Sequence, residues 1–263
     1  MKQLFIVALA LISLAAQSQQ ITEKDFKAYF DQYGIKGSFL LYDLKKESYL
    51  AYNLPRCKQG FLPASTFKIP NTLIGLETGV IPDTNFVIKW DGMKREIESW
   101  NKDHTLASAI RVSCLPYYQE LARRAGIERM KEMLSKLNFG KMDARADNVD
   151  SFWIRGDSKV TAFEQIDFLK RLYQSKLLFS KRSMDIVKNL IILDQKPAYI
   201  LRGKTGWSQA NNYNVGWLVG WLEQDGNTYF FALGAEAPLP TPEGFSGGRR
   251  KITEAILKEM GLM

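Results

Sequence analysis

Ser65 and Lys68 place a hydroxyl and an amine three residues apart in Ala64-Ser-Thr-Phe-Lys68, a spacing that stacks them on one face of a helix. Serine becomes a competent nucleophile only when a neighbouring group takes its proton, and an uncharged lysine can do so. Histidine, the commoner base, occurs once, as His104, and Cys57 and Cys114 are the only cysteines. That scarcity excludes a multi-histidine zinc site, and no metal site is expected. It leaves a Ser-His-Asp triad only if His104 is its base. His104 itself reads as part of a polar loop after Asp103, without a catalytic role. Pro63 precedes Ser65, and the apolar series Phe67, Ile69, Leu73 and Ile74 follows it. Ser65 therefore belongs near a helix N-terminus, where free N–H groups and the helix dipole favour an oxyanion. Alone, Ser-x-x-Lys equally describes a helix cap beside a solvated lysine. A second element, Lys204-Thr205-Gly206, closes a predicted strand; its lysine can project toward the nucleophile, and Gly206 lets a substrate approach the backbone. A turn with a surface lysine is the neutral reading, but the two motifs together, in this order, favour chemistry.

The elements that must carry these residues follow from periodicity. Thr22 to Tyr33 has a helical pattern, and Gly37 to Asp43 and Ser48 to Asn53 read as strands joined by a charged turn. Helices are predicted over Ala64 to Glu77, Tyr117 to Arg124, Glu128 to Leu137, Phe163 to Tyr173 and Lys181 to Ile191. Strands return at Tyr199 to Lys204, Val215 to Glu223 and Thr228 to Ala235, the last two joined by the hairpin turn Gln224-Asp-Gly-Asn227, before a final helix from Lys251 to Met260. The expected class is α+β: an antiparallel sheet built from both chain ends, flanking helices and a helical lobe. Residues 19–263 are expected to form a single domain, with an α/β lobe from about 19–60 and 195–263 and a helical lobe from about 61–194.

At 263 residues and 46% hydrophobic content the chain can bury a large core. Lys2, the apolar run Leu4 to Ala16 and the small-x-small Ala16-Gln17-Ser18 describe a signal peptide over residues 1–18. The run is shorter than the roughly 20 residues a spanning helix needs, so an exported, periplasmic protein without stable membrane insertion is expected. The net charge of +8 is scattered over short clusters such as Arg123-Arg124 and Lys181-Arg182, which suits solvated surface and no nucleic-acid partner. Two cysteines allow at most one bridge, and whether they pair is left open.

The motifs resemble those of the penicillin-recognising serine enzymes and, within them, the class D β-lactamases, or oxacillinases. The resemblance runs from about Gly37 to the C-terminus. It rests on Phe61-Leu-Pro-Ala-Ser-Thr-Phe-Lys-Ile-Pro-Asn71, Trp100-Asn-Lys-Asp103, Arg111-Val-Ser-Cys-Leu-Pro116, Tyr118-Gln-Glu-Leu-Ala-Arg-Arg124, Phe152-Trp153, Lys204-Thr-Gly206 and Gly216-Trp-Leu-Val-Gly-Trp221. It implies a serine β-lactamase/transpeptidase-like fold and hydrolysis of β-lactam antibiotics through a serine acyl-enzyme. In that scheme Ser65 attacks, and Lys68, carboxylated by CO2 to N6-carboxylysine, is the base for acylation and deacylation. Burial makes this chemically sensible, because only a neutral amine adds CO2. The resemblance also gives Ser113 a proton relay toward the leaving nitrogen, Lys204 the local field, and the backbone N–H groups of Ser65 and Trp207 the oxyanion hole. Thr205 and an arginine near the last helix, Arg249 with Arg250 as rival, hold the substrate carboxylate beside Gly206. Trp153 donates its indole N–H to the carbamate. No bound cofactor is implied beyond CO2 or bicarbonate, and the oligomeric state is open. Trp217 and Trp221, on one side of a strand, read as core. Two departures stand out: Phe139-Gly140-Lys141, where Lys141 is given no role, and Ser113-Cys114-Leu115, where leucine replaces the usual valine beside the carbamate. A penicillin-binding sensor or a D-alanyl peptidase, which acylates but hydrolyses β-lactams poorly, is the alternative.

Overall fold

Both ends of the chain contribute strands to one sheet. The computed structural model describes residues 20–263; the expected signal peptide lies outside the described residues. The chain enters through β1 (Ile21–Glu23) and α1 (Lys27–Asp31), then β2 (Lys36–Asp43), β3 (Ser48–Tyr52) and the short α2 (Leu54–Cys57). The middle holds a 3-10 turn over Ala64–Phe67, α3 (Lys68–Glu77), the two-residue strands β4 (Val87–Ile88) and β5 (His104–Thr105), α4 (Leu106–Arg111), α5 (Leu115–Ala125), α6 (Ile127–Leu137), α7 (Ala162–Tyr173) and α8 (Lys181–Leu190). The return consists of β6 (Ile192–Lys196), β7 (Tyr199–Ala210), β8 (Tyr213–Gln224), β9 (Asn227–Pro238) and α9 (Phe245–Glu259).

Strand order is β1-β3-β2-β9-β8-β7-β6. The α+β class holds, but the sheet is mixed, because β1 pairs parallel with β3 while the other neighbours are antiparallel. The helix expected from Thr22 is therefore two elements: Ile21–Glu23 lies against Tyr49–Ala51, and the Asp25 carboxylate accepts from Lys27 N–H at 2.8 Å, starting the helix after the strand has ended. Residues Asp225 and Gly226 adopt φ of 49° and 68° at the β8–β9 turn, the left-handed pair that a two-residue hairpin requires.

Both sheet faces are covered, so alternation along a strand sends side chains to two cores. Leu40, Trp217, Val219, Trp221 and Phe230 pack with Phe67, Leu73, Leu121 and Ile166 of the helical side. Phe39, Leu41, Leu218, Phe231 and Leu233 pack with Phe26, Phe30, Ile252 and Ile256 of the terminal helices. The two tryptophans of β8 thus fill core, as expected. No helix among the described residues is long and apolar enough to cross a membrane.

Candidate active site

The turn bearing Ser65 is held from several directions. Phe61 exchanges backbone hydrogen bonds with Val160, and Ala64 N–H donates to the Trp153 carbonyl at 2.8 Å. Thr66 Oγ1 donates to the Pro63 carbonyl at 2.7 Å and accepts from the buried Gln165 amide at 2.9 Å. Ala64 sits at φ 49°, a left-handed conformation costly for a residue with a Cβ. Ser65 lies in a 3-10 turn, not in the α-helix proper, and Lys68 opens α3. Side chains at i and i+3 of a 3-10 turn eclipse, and Lys68 Nζ reaches Ser65 Oγ at 2.6 Å.

Lys68 is 1% exposed. Burial, reinforced by the nearby Lys204 charge, holds its amine well below the ordinary lysine pKa, so the neutral form is favoured. Its Nζ lies 5.5 Å from the centre of the Tyr118 ring, whose hydroxyl is bonded to Thr72 at 2.8 Å and is kept protonated by burial. Trp153 stacks on Phe67 at 5.3 Å and 22°. Its buried indole N–H has no hydrogen-bond partner among the described residues, which is the donor that an anion on the buried lysine calls for.

Strand β7 forms the opposite wall. It runs to Ala210, so Lys204-Thr205-Gly206 lies mid-strand and does not close it. Pairing with β6 extends only to Arg202, and beyond it the Ser65 turn packs beside Gly206. A Cβ on Gly206 would stand 2.9 Å from the Pro63 carbonyl and 3.1 Å from Thr66, so glycine is what allows the two walls to meet. Ser65, Ser113, Thr205, Gly206, Trp207 and Arg249 line one cleft, with Ile97, Trp100 and Val112 as its apolar side. Ser113 is at φ 54° just before α5. Lys204 Nζ donates to the Thr205 carbonyl at 3.1 Å and to its hydroxyl at 3.3 Å. Arg249 is buried within α9, not ahead of it as expected, because the helix begins at Phe245. Its guanidinium donates to the Gly206 and Ser246 carbonyls. Lys204 and Arg249 are buried basic side chains beside the cleft, and no carboxylate is among the residues that line it, an arrangement that favours anionic ligands.

The family described as the penicillin binding protein transpeptidase domain matches residues 16–260. β-Lactamase OXA-48 of Klebsiella pneumoniae is 43% identical over 256 residues, covering 97% of this chain and 95% of the relative. The solved class D β-lactamase YbXI from Nostoc superposes with a TM-score of 0.87 at 40% identity, covering 91% of this chain and 99% of that one. The chain belongs to the class D β-lactamases. It is therefore a member of a hydrolase family. The C-terminal domain of the Bacillus licheniformis BlaR penicillin-receptor also shares the fold, with a TM-score of 0.87 at 28% identity, covering 94% of this chain and 98% of that one.

In this class D β-lactamase the other residues singled out in the sequence lie both around the cleft and away from it. Arg250 is one position away from Arg249 but exposed, paired with Glu254 at 2.7 Å. His104 is buried in β5, not on a polar loop; its ring bonds Ser108 Oγ and the Ser99 carbonyl, each at 2.9 Å. Those bonds occupy both ring nitrogens and brace the segment leading to Trp100. Lys141 is exposed and bridges to Lys159. Leu115 faces a neighbouring groove with Ile97 and Trp100. Cys57 and Cys114 are both buried and free. Sequence reasoning assigned nothing to Gln165, Tyr118 or the Trp100 indole, which donates to the Val112 carbonyl at 3.1 Å beside Ser113. Their partners are 99, 46 and 12 residues away respectively, and no local pattern signals such contacts.

Burial, with Arg249 adding repulsion, lowers the Lys204 pKa to about 7. Between that value and the roughly 10.4 of an unfolded lysine, the unfolded chain holds a proton that the folded chain has released. Stability therefore rises with pH across this window, and the penalty is full below it. Lys204→Met, similar in size and uncharged, is expected to be more stable than wild type at pH 6 by on the order of 4 kcal/mol. That advantage should vanish by pH 10. Urea midpoints measured against pH for the two proteins check it; a constant difference would contradict the titration.

Proposed function

We propose that this enzyme hydrolyses β-lactams through an acyl-enzyme on Ser65, with Lys68 as the base once CO2 has converted its amine to a carbamate. The observation that carries the reading is the buried Lys68 amine 2.6 Å from Ser65 Oγ, with the only histidine held elsewhere by Ser99 and Ser108. A carbamate supplies an anion near neutral pH that a lysine cannot. The unpartnered Trp153 indole N–H and the cationic Lys204 and Arg249 suit its negative charge. In acylation, carboxylated Lys68 takes the Ser65 proton as Oγ bonds to the lactam carbonyl carbon. The backbone N–H groups of Ser65 and Trp207 hold the oxyanion. The C–N bond then breaks, and the proton passes through Ser113 to the leaving nitrogen, with Lys204 stabilising the developing charge. In deacylation, Lys68 takes a proton from water as its oxygen attacks the ester carbon. Ser65 leaves with that proton, and the base is regenerated.

The substrate carboxylate is assigned to Thr205 and Arg249. Arg249→Ala should lower kcat/KM by about 2 kcal/mol, the contribution of a charge-assisted hydrogen bond, which is roughly 30-fold. Arg250→Ala, which removes an exposed pair, should stay within about 0.5 kcal/mol. The reverse pattern in steady-state kinetics would move the anchor by one residue.

The likeness to the BlaR penicillin-receptor domain supplies a second reading, a sensor that is acylated once. Hydrolysis of a chromogenic cephalosporin separates the two. Sustained turnover supports the hydrolase, whereas a single stoichiometric burst supports the sensor. The segment Lys2 to Ser18 supports export, and we place the enzyme in the periplasm as one unit in which both lobes line the cleft.

A further inference from the structure

Asn214, near the start of β8, is fully buried, and three donors converge on one atom of its side chain. Asn214 Oδ1 accepts from the Trp207 indole N–H at 3.0 Å, from Gln209 Nε2 at 3.3 Å and from Thr241 Oγ1 at 3.0 Å. Its amide nitrogen donates to the carbonyls of Ala237 at 3.3 Å and Pro238 at 3.4 Å. Only an amide both accepts several bonds at one atom and donates two from the other. One side chain therefore ties β7 to the end of β9 and to the segment that leads into α9. Trp207 is the cleft residue most affected. The residue is 40% exposed; its ring leans on Phe245 at 5.4 Å and lies 5.5 Å from the Arg249 guanidinium, yet its one polar side-chain atom is fixed by Asn214.

The chemistry of the substrate gives that fixation a purpose, on the reading proposed above. In a penicillin the carboxylate and the acylamino side chain lie at opposite ends of the bicyclic nucleus, and the lactam carbonyl adjoins the side-chain end. With the carboxylate at Thr205 and Arg249 and the carbonyl at the N–H of Trp207, the side chain continues along β7 past the Trp207 ring toward Gln209. We propose that Asn214 is a positioning residue that fixes the Trp207 indole as a wall of the acyl side-chain subsite, and so sets discrimination between β-lactams by their side chains.

The test compares kcat/KM for benzylpenicillin, which carries a phenylacetyl side chain, with that for 6-aminopenicillanic acid, which carries none. The ratio of the two is insensitive to the fraction of folded enzyme, so a purely structural defect leaves it unchanged. Asn214→Leu, similar in volume but without an acceptor, should lower the ratio about five- to tenfold, the equivalent of one lost hydrogen bond. Trp207→Phe, which keeps a ring and loses the indole N–H, should lower it by a similar factor. The double variant should be no lower than either single one, because both remove the same link. An unchanged ratio in Asn214→Leu, or multiplied losses in the double variant, overturns the inference. Should Asn214→Leu fail to fold, Trp207→Phe decides alone, and a wild-type ratio there overturns it. Wild-type enzyme that hydrolyses neither compound would instead defeat the proposed function.

Discussion

Ser65→Ala will take no covalent label from a fluorescent penicillin, and its kcat will fall at least about 10⁴-fold, as loss of a serine nucleophile does elsewhere. The expectation rests on the turn and not on the motif alone. Ala64, Thr66 and the Phe61 backbone are anchored by Trp153, Gln165 and Val160, so removing one hydroxyl leaves the scaffold intact. Ser65 is only half-buried, and the change in stability should stay within about 1 kcal/mol. Intact-protein mass spectrometry after mixing with a penicillin, together with a urea melt, reads both quantities. An adduct formed at the original rate on a folded Ser65→Ala protein would remove Ser65 from the nucleophile's role.

Lys68→Ala should lose turnover on a comparable scale, and bicarbonate should not restore it. In wild type, added bicarbonate should raise the steady rate, because carbamate formation is reversible and the cleft holds no other anionic base. The pH dependence follows from the depressed Lys68 pKa: as pH falls through it the amine takes a proton, can no longer add CO2, and activity declines. Trp153→Phe keeps a ring against Phe67 and deletes the buried indole donor. It should therefore weaken carbamate retention by roughly 1.5–3 kcal/mol, the strength of a hydrogen bond to a charged group, and steepen the bicarbonate requirement. Carbon-13 NMR with labelled bicarbonate observes the group directly. A fully active enzyme without a carbamate resonance, and with rates indifferent to CO2, would leave the base to uncarboxylated Lys68.

How far the site can be read from sequence depends on what each residue answers to. The β8–β9 hairpin and α6, α7 and α8 are legible because turn chemistry and 3.6-residue periodicity are local. Ser65 and Lys68 are legible as a pair, but their approach in a 3-10 turn is set by Pro63 and by contacts to Trp153 and Gln165. β7 runs past its predicted end at Lys204 because twelve consecutive residues of β8 hold it in register through Ala210, a non-local pairing that Gly206 and Ser208 do not signal in the sequence. Arg249 lies inside α9 although Gly247 and Gly248, which precede it, are poor helix formers. Gly248 is nevertheless helical, since a Cβ there would press on Tyr33 and Ile35: packing against the N-terminal segment overrides propensity. The depressed pKa values of Lys68 and Lys204 have no sequence signature, since they arise from burial, with the Lys204 charge acting on Lys68 and the Arg249 charge acting on Lys204.

The position of β9 also governs how the molecule comes into being. It is the last strand in the chain, yet it lies between β2 and β8, pairing residues 36–43 with residues 229–236. Before it docks, the sheet is two separate pieces, and the α9 anchor has no completed surface on which to settle. Such non-local closure slows folding, because loop entropy is lost before the contacts that offset it are gained. A ribosome-bound chain that ends before β9 also lacks α9, and with it the Arg249 side of the cleft. If Ser65 forms the proposed acyl-enzyme, covalent capture of a penicillin would be a chemical clock for the final closure of the sheet, and its onset in a refolding experiment should lag behind the recovery of helical signal.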